Sequence, residues 1–224
     1  MTESNEDFSF DIDDVSINSE EQVQITPAEV IELIEEAWIN EKFAPEILPH
    51  KSEIVEIILD QISNMEENIK NLCSTDFTKI IYQLEVDRLR FLVSSYLRTR
   101  LEKIEIHVNH ILGEEAKRID KRSDLYLSHE ELKFAKEFSF TMEQYFDKLM
   151  RFYPGVPSET WSNQIVEPNN NSFVFLKSKN RVEGVLIDKN ATDSDLIDFD
   201  TGSQIIISYN SVSDLIKKSD VQLI

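Results

Sequence analysis

The sequence predicts an α+β chain: an N-terminal all-α domain built on one very long helix, then a small β-rich domain. Three observations carry this. Lys79 to Leu112 runs for more than thirty residues without glycine or proline. Within it Leu89, Val93, Leu97, Leu101, Ile104, Val108 and Ile111 recur at spacings of three and four, the period of one helix face. Beyond Phe152, proline, glycine and asparagine cluster, and the apolar period falls to two.

Taken in order, residues 1–24 hold eight acidic and no basic side chains and are expected to form a disordered acidic tail. Phe8, Phe10, Ile12, Val15 and Ile17 are spaced among Asp11, Asp13 and Asp14. This leaves two readings: a solvated arm, or a short motif in which Phe8, Phe10, Ile12, Asp13, Asp14 and Val15 order on a partner. The helical domain is assigned to 25–151. Thr26-Pro27-Ala28-Glu29 is a capping box with proline at the first helical position, and Val30, Leu33, Ile34, Ala37 and Trp38 mark one face. Pro45 and Pro49 form a connector. A second helix opens at Ser52 with Ile54, Ile58, Ile62, Met65, Ile69 and Leu72 on one side. Ser74, Thr75 and Asp76 are cap candidates for the long third helix.

Gly113 is expected to stop that helix, and the charged stretch 114–127 to be a mobile loop. Ser128-His129-Glu130-Glu131 is another capping box. A fourth helix follows, with Leu132, Ala135, Phe138, Met142, Tyr145 and Leu149 inward. Residues 152–171 read as a linker and 172–224 as the β-rich domain. Its strands are expected at 172–177, 182–187, 196–199, 204–209 and 221–224, with one helical turn at 211–217. Gly184 and Gly202 suit a bulge and a turn. About fifty residues are marginal for an independent fold, so this domain is expected to dock onto something. Leu223 and Ile224 are expected to pack, within it or against a neighbour.

Charges interrupt the seam of the long helix. At 100° per residue Glu85, Arg90, Arg100 and Lys103 project into the apolar arc, with Arg88 at its edge. A charge in an apolar seam is costly unless a partner answers it. For Arg100 two answers are open: an acid on the second or fourth helix, or a carboxylate of another chain that helps set register. The interface reading groups Glu85, Arg88, Tyr96, Leu97, Arg98, Arg100, Lys103 and Ile104 with Leu223 and Ile224.

Composition narrows the function. With 43 acidic against 23 basic residues the net charge is −20, so the surface repels nucleic acid on average and no direct DNA contact is expected. One cysteine excludes an internal disulfide and a thiolate zinc cluster. No apolar run nears the ~18 residues of a membrane span, and the acidic start carries no secretory signal. An intracellular protein, cytoplasmic or nuclear, is expected. Four glycines leave no phosphate-cradling loop and no dinucleotide fingerprint, and no nucleophile elbow occurs. His107, His110 and Glu114 fall on one helix side, yet they read as a polar helix end rather than a metal site. Lys117, Arg118, Lys121 and Arg122 read as a solvated run rather than a phosphate contact. No cofactor and no catalysis are expected.

The run Leu84-Glu85-Val86-Asp87-Arg88 and the run Ser94-Ser95-Tyr96-Leu97-Arg98-Thr99-Arg100-Leu101-Glu102-Lys103-Ile104-Glu105 resemble the signature of the GINS family, in particular its fourth, Sld-five type. Thr26-Pro27-Ala28-Glu29, Ala37-Trp38, Asn40 to Glu46, Met65-Glu66-Glu67-Asn68 and Val221-Gln222-Leu223-Ile224 agree, in order. The resemblance implies a nuclear, non-catalytic subunit of a heterotetramer with three other GINS subunits. It also implies that this tetramer joins the MCM ring and the cell-division-cycle forty-five protein in the replicative helicase, where the ring carries the ATPase chemistry. The alternative is a free-standing helical adaptor that uses its β module for peptide recognition.

Overall fold

The computed structural model describes residues 26–73, 76–152, 165–186 and 196–224. Four helices come first: α1 Pro27–Phe43, α2 Ser52–Asn71, α3 Phe77–Lys121 and α4 His129–Met150. The β-rich part holds β1 Phe173–Ser178, β2 Val182–Leu186, β3 Leu196–Phe199, β4 Gln204–Ser208, α5 Tyr209–Lys217 and β5 Val221–Leu223. The α+β class and the long third helix are therefore as the sequence predicts.

The helix starts follow local chemistry. Thr26 and Ser128 form complete capping boxes with Glu29 and Glu131, and the Asp76 side chain accepts from Thr78 N. Each satisfies amide groups that the first helical turn leaves unpaired.

The expected stop at Gly113 is not observed. α3 continues to Lys121 and ends where Arg122 takes a left-handed conformation, φ 53°. A mid-helix glycine costs only about 1 kcal/mol, and the following turn is tied down. Glu114 pairs with Lys117 at 2.7 Å and Glu115 with Arg118 at 2.6 Å, both at i,i+3. Buried Glu115 also accepts Tyr126 N at 3.1 Å, so the chain after α3 folds back against the helix. At about 1.5 Å per residue the 45 residues span about 67 Å. Its one irregularity is His107, φ −117° and ψ 25°, whose Nδ1 lies 3.1 Å from Val166 O.

Three cores divide the molecule. α1 and α2 cover the first half of α3, burying Ile34, Ile58, Ile62, Val86, Leu89 and Val93. The second half of α3 packs Ile104 and Ile111 against Ile47, Leu127 and Ala135. Glu131 meets Arg100 and Ser139 meets Asn109, so α4 runs in the same direction as α3. The outer half of α4 departs from expectation: Tyr145 is exposed, and Phe138, Met142 and Leu149 are only partly covered.

The third core belongs to the β-rich part, where a three-stranded antiparallel sheet β4-β1-β5 and a β2-β3 hairpin pack with α5. Gly184, φ 73°, lies at the register shift between β2 and β3, and Gly202, φ 83°, in the turn before β4. Both positions need the left-handed backbone that glycine adopts without strain. Ala44 and Leu48, from the helical domain's connector, are buried in this core. The small domain therefore docks onto its own chain.

Candidate functional site

The charges on α3 meet inside the chain. Arg100 is 0% exposed. Its Nε donates to Glu131 Oε1 at 2.7 Å and its Nη2 to Glu131 Oε2 at 2.9 Å, a bidentate pair. Nη1 donates to Glu41 Oε2 at 3.0 Å and Leu48 O at 2.8 Å, and Nη2 also to Tyr126 O at 2.8 Å. All five guanidinium donors are thus used. Lys103 Nζ closes the network on Glu41 Oε1 and Glu46 O, each at 2.8 Å.

Titration follows from this geometry. Burial works against the Arg100 charge, but the hydrogen bonds to Glu131 and the Glu41 charge outweigh it and hold Arg100 above its ordinary range. Burial likewise pushes Glu131 up, and Arg100 more than reverses this, leaving it below the usual carboxylate range. Desolvation wins at Lys103, which is lowered despite Glu41. Tyr96, buried beside this group, is pushed up to about 12 by desolvation; its hydroxyl accepts Lys51 N at 3.2 Å.

A second polar cluster joins the two domains. Leu223 N donates to Asn40 Oδ1 at 2.8 Å, covering the outer edge of β5. Lys179 pairs with Glu36 at 2.5 Å. Glu46 accepts the Tyr209 hydroxyl at 2.9 Å and pairs with Lys217 at 2.8 Å. Burial and the Glu46 carboxylate hold Tyr209 far above its usual value.

Two apolar faces are left uncovered by the described residues. On α3, Phe77, Ile80, Ile81 and Leu84 point away from the core, and Leu84 is 65% exposed. Phe91 continues the stripe two turns on, in an edge-to-face contact with Trp38 at 5.9 Å between ring centroids. On the sheet, Phe173, Phe175, Ile206 and Ile224 are all exposed. Phe175 is paired with Ile206, and Ile224 N donates to Phe175 O. The solvent face of an antiparallel sheet is normally polar, and contiguous apolar patches of this kind mark association surfaces.

Comparison with known proteins now bears on the chain. Residues 53–150 match the family described as GINS complex protein helical bundle domain, and residues 168–224 that described as DNA replication complex GINS protein SLD5 C-terminus. The DNA replication complex GINS protein SLD5 of Bos taurus is 41% identical over 208 residues, covering 91% of this chain and 93% of that protein. The Homo sapiens protein of the same name is 39% identical over the same shares. That of Schizosaccharomyces pombe is 26% identical over 197 residues, 84% of this chain and 88% of that one. The chain belongs to the GINS Sld5 family.

In this Sld5-family chain the predicted interface residues separate into three groups. Tyr96, Arg100, Lys103, Ile104 and Leu223 turn inward. For Arg100 and Lys103 this corrects the inter-chain reading: Glu41 and Glu131 of the same chain answer Arg100, all five of whose donors are used, and Glu41 with the Glu46 carbonyl answers Lys103. Glu85 and Arg88 form a surface cluster with Glu35, the Arg88 contacts both at 2.7 Å, and Arg90 pairs with Glu66 of α2. Leu97, Arg98 and Ile224 remain exposed. Ile224 is 50% exposed, so it packs less within its own domain than expected. Phe8, Phe10, Ile12, Asp13, Asp14 and Val15 lie outside the described residues.

The uncovered faces were missed, although their signals are in the sequence. Phe77, Ile80/Ile81 and Leu84 form a second stripe at helical spacing, opposite the first. In Phe173-Val174-Phe175-Leu176 both alternation phases are apolar, so both faces of β1 are apolar. Asn40 and Glu41 as inward polar groups carried no local signal, because their partners lie 183 and 59 positions away.

Proposed function

We propose that this chain is a non-catalytic structural subunit of the GINS heterotetramer, bound to three other GINS subunits. Through the assembled complex it joins the MCM ring and the cell-division-cycle forty-five protein in the nuclear replicative helicase. The observation that carries the reading is the pair of uncovered apolar faces, on α3 and on the β4-β1-β5 sheet. Solvent-exposed phenylalanines and isoleucines in such stripes are costly in a free-standing chain and favourable once a partner covers them. Surplus acidic charge elsewhere keeps unassembled chain soluble and disfavours nucleic acid, so contact with partners rather than with DNA is the chain's task.

Leu97 and Arg98, exposed on α3, and the surface pair Glu85 and Arg88 are assigned to the rim of the helical interface, and Ile224 to that of the sheet. The acidic segment around Phe8 to Val15 is assigned to a partner outside the tetramer, because its hydrophobes are interleaved with aspartates as in a docking peptide.

The test is co-expression with the other three GINS subunits, followed by native mass measurement. One copy of each of four chains is the expected result. A stable monomer that takes up none of the others would overturn the reading and favour the free-standing adaptor.

A further inference from the structure

The β4-β1-β5 sheet is closed at one edge and open at the other. Asn40 covers β5 by accepting Leu223 N, whereas β4 has no strand beyond it among the described residues. Tyr209 N donates to Ser172 O and Ser178 N to Ser203 O. Bonded pairs alternate along an antiparallel ladder, so Ile205 and Ile207 bond to β1. The amides and carbonyls of Gln204 and Ile206 turn outward and have no hydrogen-bond partner among the described residues. Natural sheet edges are blunted by charge, proline or a bulge. Gln204–Ser208 carries none of these. Ile206 is 57% exposed beside Phe175 at 62%. Lys177, opposite Gln204, is exposed and makes no ion pair among the described residues.

Such an edge is a template for an extended segment. The segment that fits places apolar side chains beside Ile206 and a carboxylate at the Lys177 end. This chain contains one. Phe8, Phe10, Ile12 and Asp14 share one phase of a two-residue period, with Ser9, Asp11 and Asp13 on the other. Run antiparallel to β4 with Ile12 opposite Ile206, the segment sets Phe10 by Ser208 and Asp14 by Gln204, one strand away from Lys177. The reach suffices. From Thr26 to Asn40, α1 rises about 21 Å, and three strand spacings from β5 outward past β4 add about 14 Å. The extended stretch from Asp14 to Thr26 covers about 40 Å.

We propose that residues 8–14 add to the open edge of β4 as a fourth strand of this sheet. The hydrophobes assigned to a partner outside the tetramer are then held by the chain itself, and that partner binds by taking the segment off β4. Its apparent affinity is scaled by the fraction of chains in which the segment is released. The regulatory part of the inference rests on the reading of this segment as a docking peptide.

The test applies a zero-length carbodiimide cross-linker, which joins a carboxylate only to an amine in direct contact, to the full chain. The expected product has the mass of one chain and joins Lys177 to Asp14, at least threefold more than to Asp11 or Asp13, by peptide mass spectrometry. Ile206→Pro should lower this product at least fivefold. Proline is tolerated on an edge strand where its missing amide faces outward, but it removes a donor that the added strand needs. Phe10→Asp, which leaves the sheet itself untouched, should lower the product as far. Amide exchange of Gln204–Ser208 should be slower in the full chain than after deletion of residues 1–22. No Lys177 product, equal product in Phe10→Asp, Lys177 joined to an acid of a second chain, or identical exchange with and without residues 1–22 each overturns the proposal and leaves the docking-peptide reading standing. If these results are as expected but deletion of residues 1–22 changes no partner, the docking-peptide reading fails and the regulatory role with it, while the strand pairing stands.

Discussion

Arg100 on α3 and Glu131 at the third position of α4 are joined by two parallel hydrogen bonds, 2.7 and 2.9 Å long. Glu131 also closes the capping box of its own helix by accepting Ser128 N at 2.9 Å. One carboxylate therefore starts α4 and anchors it to the middle of α3. With Glu41 on the far side of the guanidinium, the same arginine ties α1, α3, α4 and the connector at Leu48 into one body.

Arg100→Ala should consequently unfold this chain's own helical domain rather than merely detach a neighbour. Removing one member of a buried, hydrogen-bonded ion pair costs about 3–5 kcal/mol. Thermal melting followed by circular dichroism is the measurement. Unchanged melting with a collapse of complex yield would return Arg100 to the inter-chain role.

Acid should weaken the same junction. Glu131 is held below the ordinary carboxylate range by Arg100, so the folded chain binds its proton less tightly than the unfolded chain, where a glutamate titrates near about 4.3. The resulting stability is present above that value and is lost as pH falls through the folded pKa. Denaturant midpoints recorded from pH 7 down to pH 3 should fall on the acid side, and Glu131→Gln should flatten that fall. Identical acid limbs in the two proteins would remove Glu131 as the responsible group.

The last two residues should behave oppositely. Leu223 is 1% exposed and its amide is held by Asn40, so Leu223→Ala should cost about 2–5 kcal/mol. Ile224→Ala, on the open face, should leave the melting curve of the chain within about 0.5 kcal/mol and lower complex yield. Equal loss of stability in both variants would contradict the placement of Ile224 on the open face.

Leu84→Glu tests the uncovered face of α3. A charge at this exposed position disturbs nothing in the chain's own core, so helical content and melting should be retained. Association with the other GINS subunits, read by native mass or size-exclusion profile, should drop at least tenfold. Undiminished assembly would show that this stripe is not an interface.

Deleting residues 1–22 should leave tetramer assembly unchanged, because the motif there is assigned to an outside partner. Comparative pull-downs with full-length and shortened complex should differ by one partner. An unchanged partner list would reduce the segment to a solvated acidic arm.

What could be read from the linear chain is the local chemistry. Periods of 3.6 and 2 depend only on which side chains are apolar, so α1 to α4 and the five strands lie close to where the pattern puts them. Capping boxes at Thr26 and Ser128 join groups three residues apart and are equally legible. Gly113 misled because a glycine stops a helix only when the turns beside it lack other anchors, and here Glu115 is anchored to Arg118 and Tyr126. Tertiary structure alone decided who answers Arg100. The sequence marks a charge in an apolar seam, but 43 acids offer too many candidates. Only the packing of α1 and α4 on α3 brings Glu41 and Glu131 within hydrogen-bond range while excluding water. The same packing decided which apolar stripe of α3 became core and which was left uncovered, since two opposite stripes of similar hydrophobicity cannot both be buried by two short helices on one side.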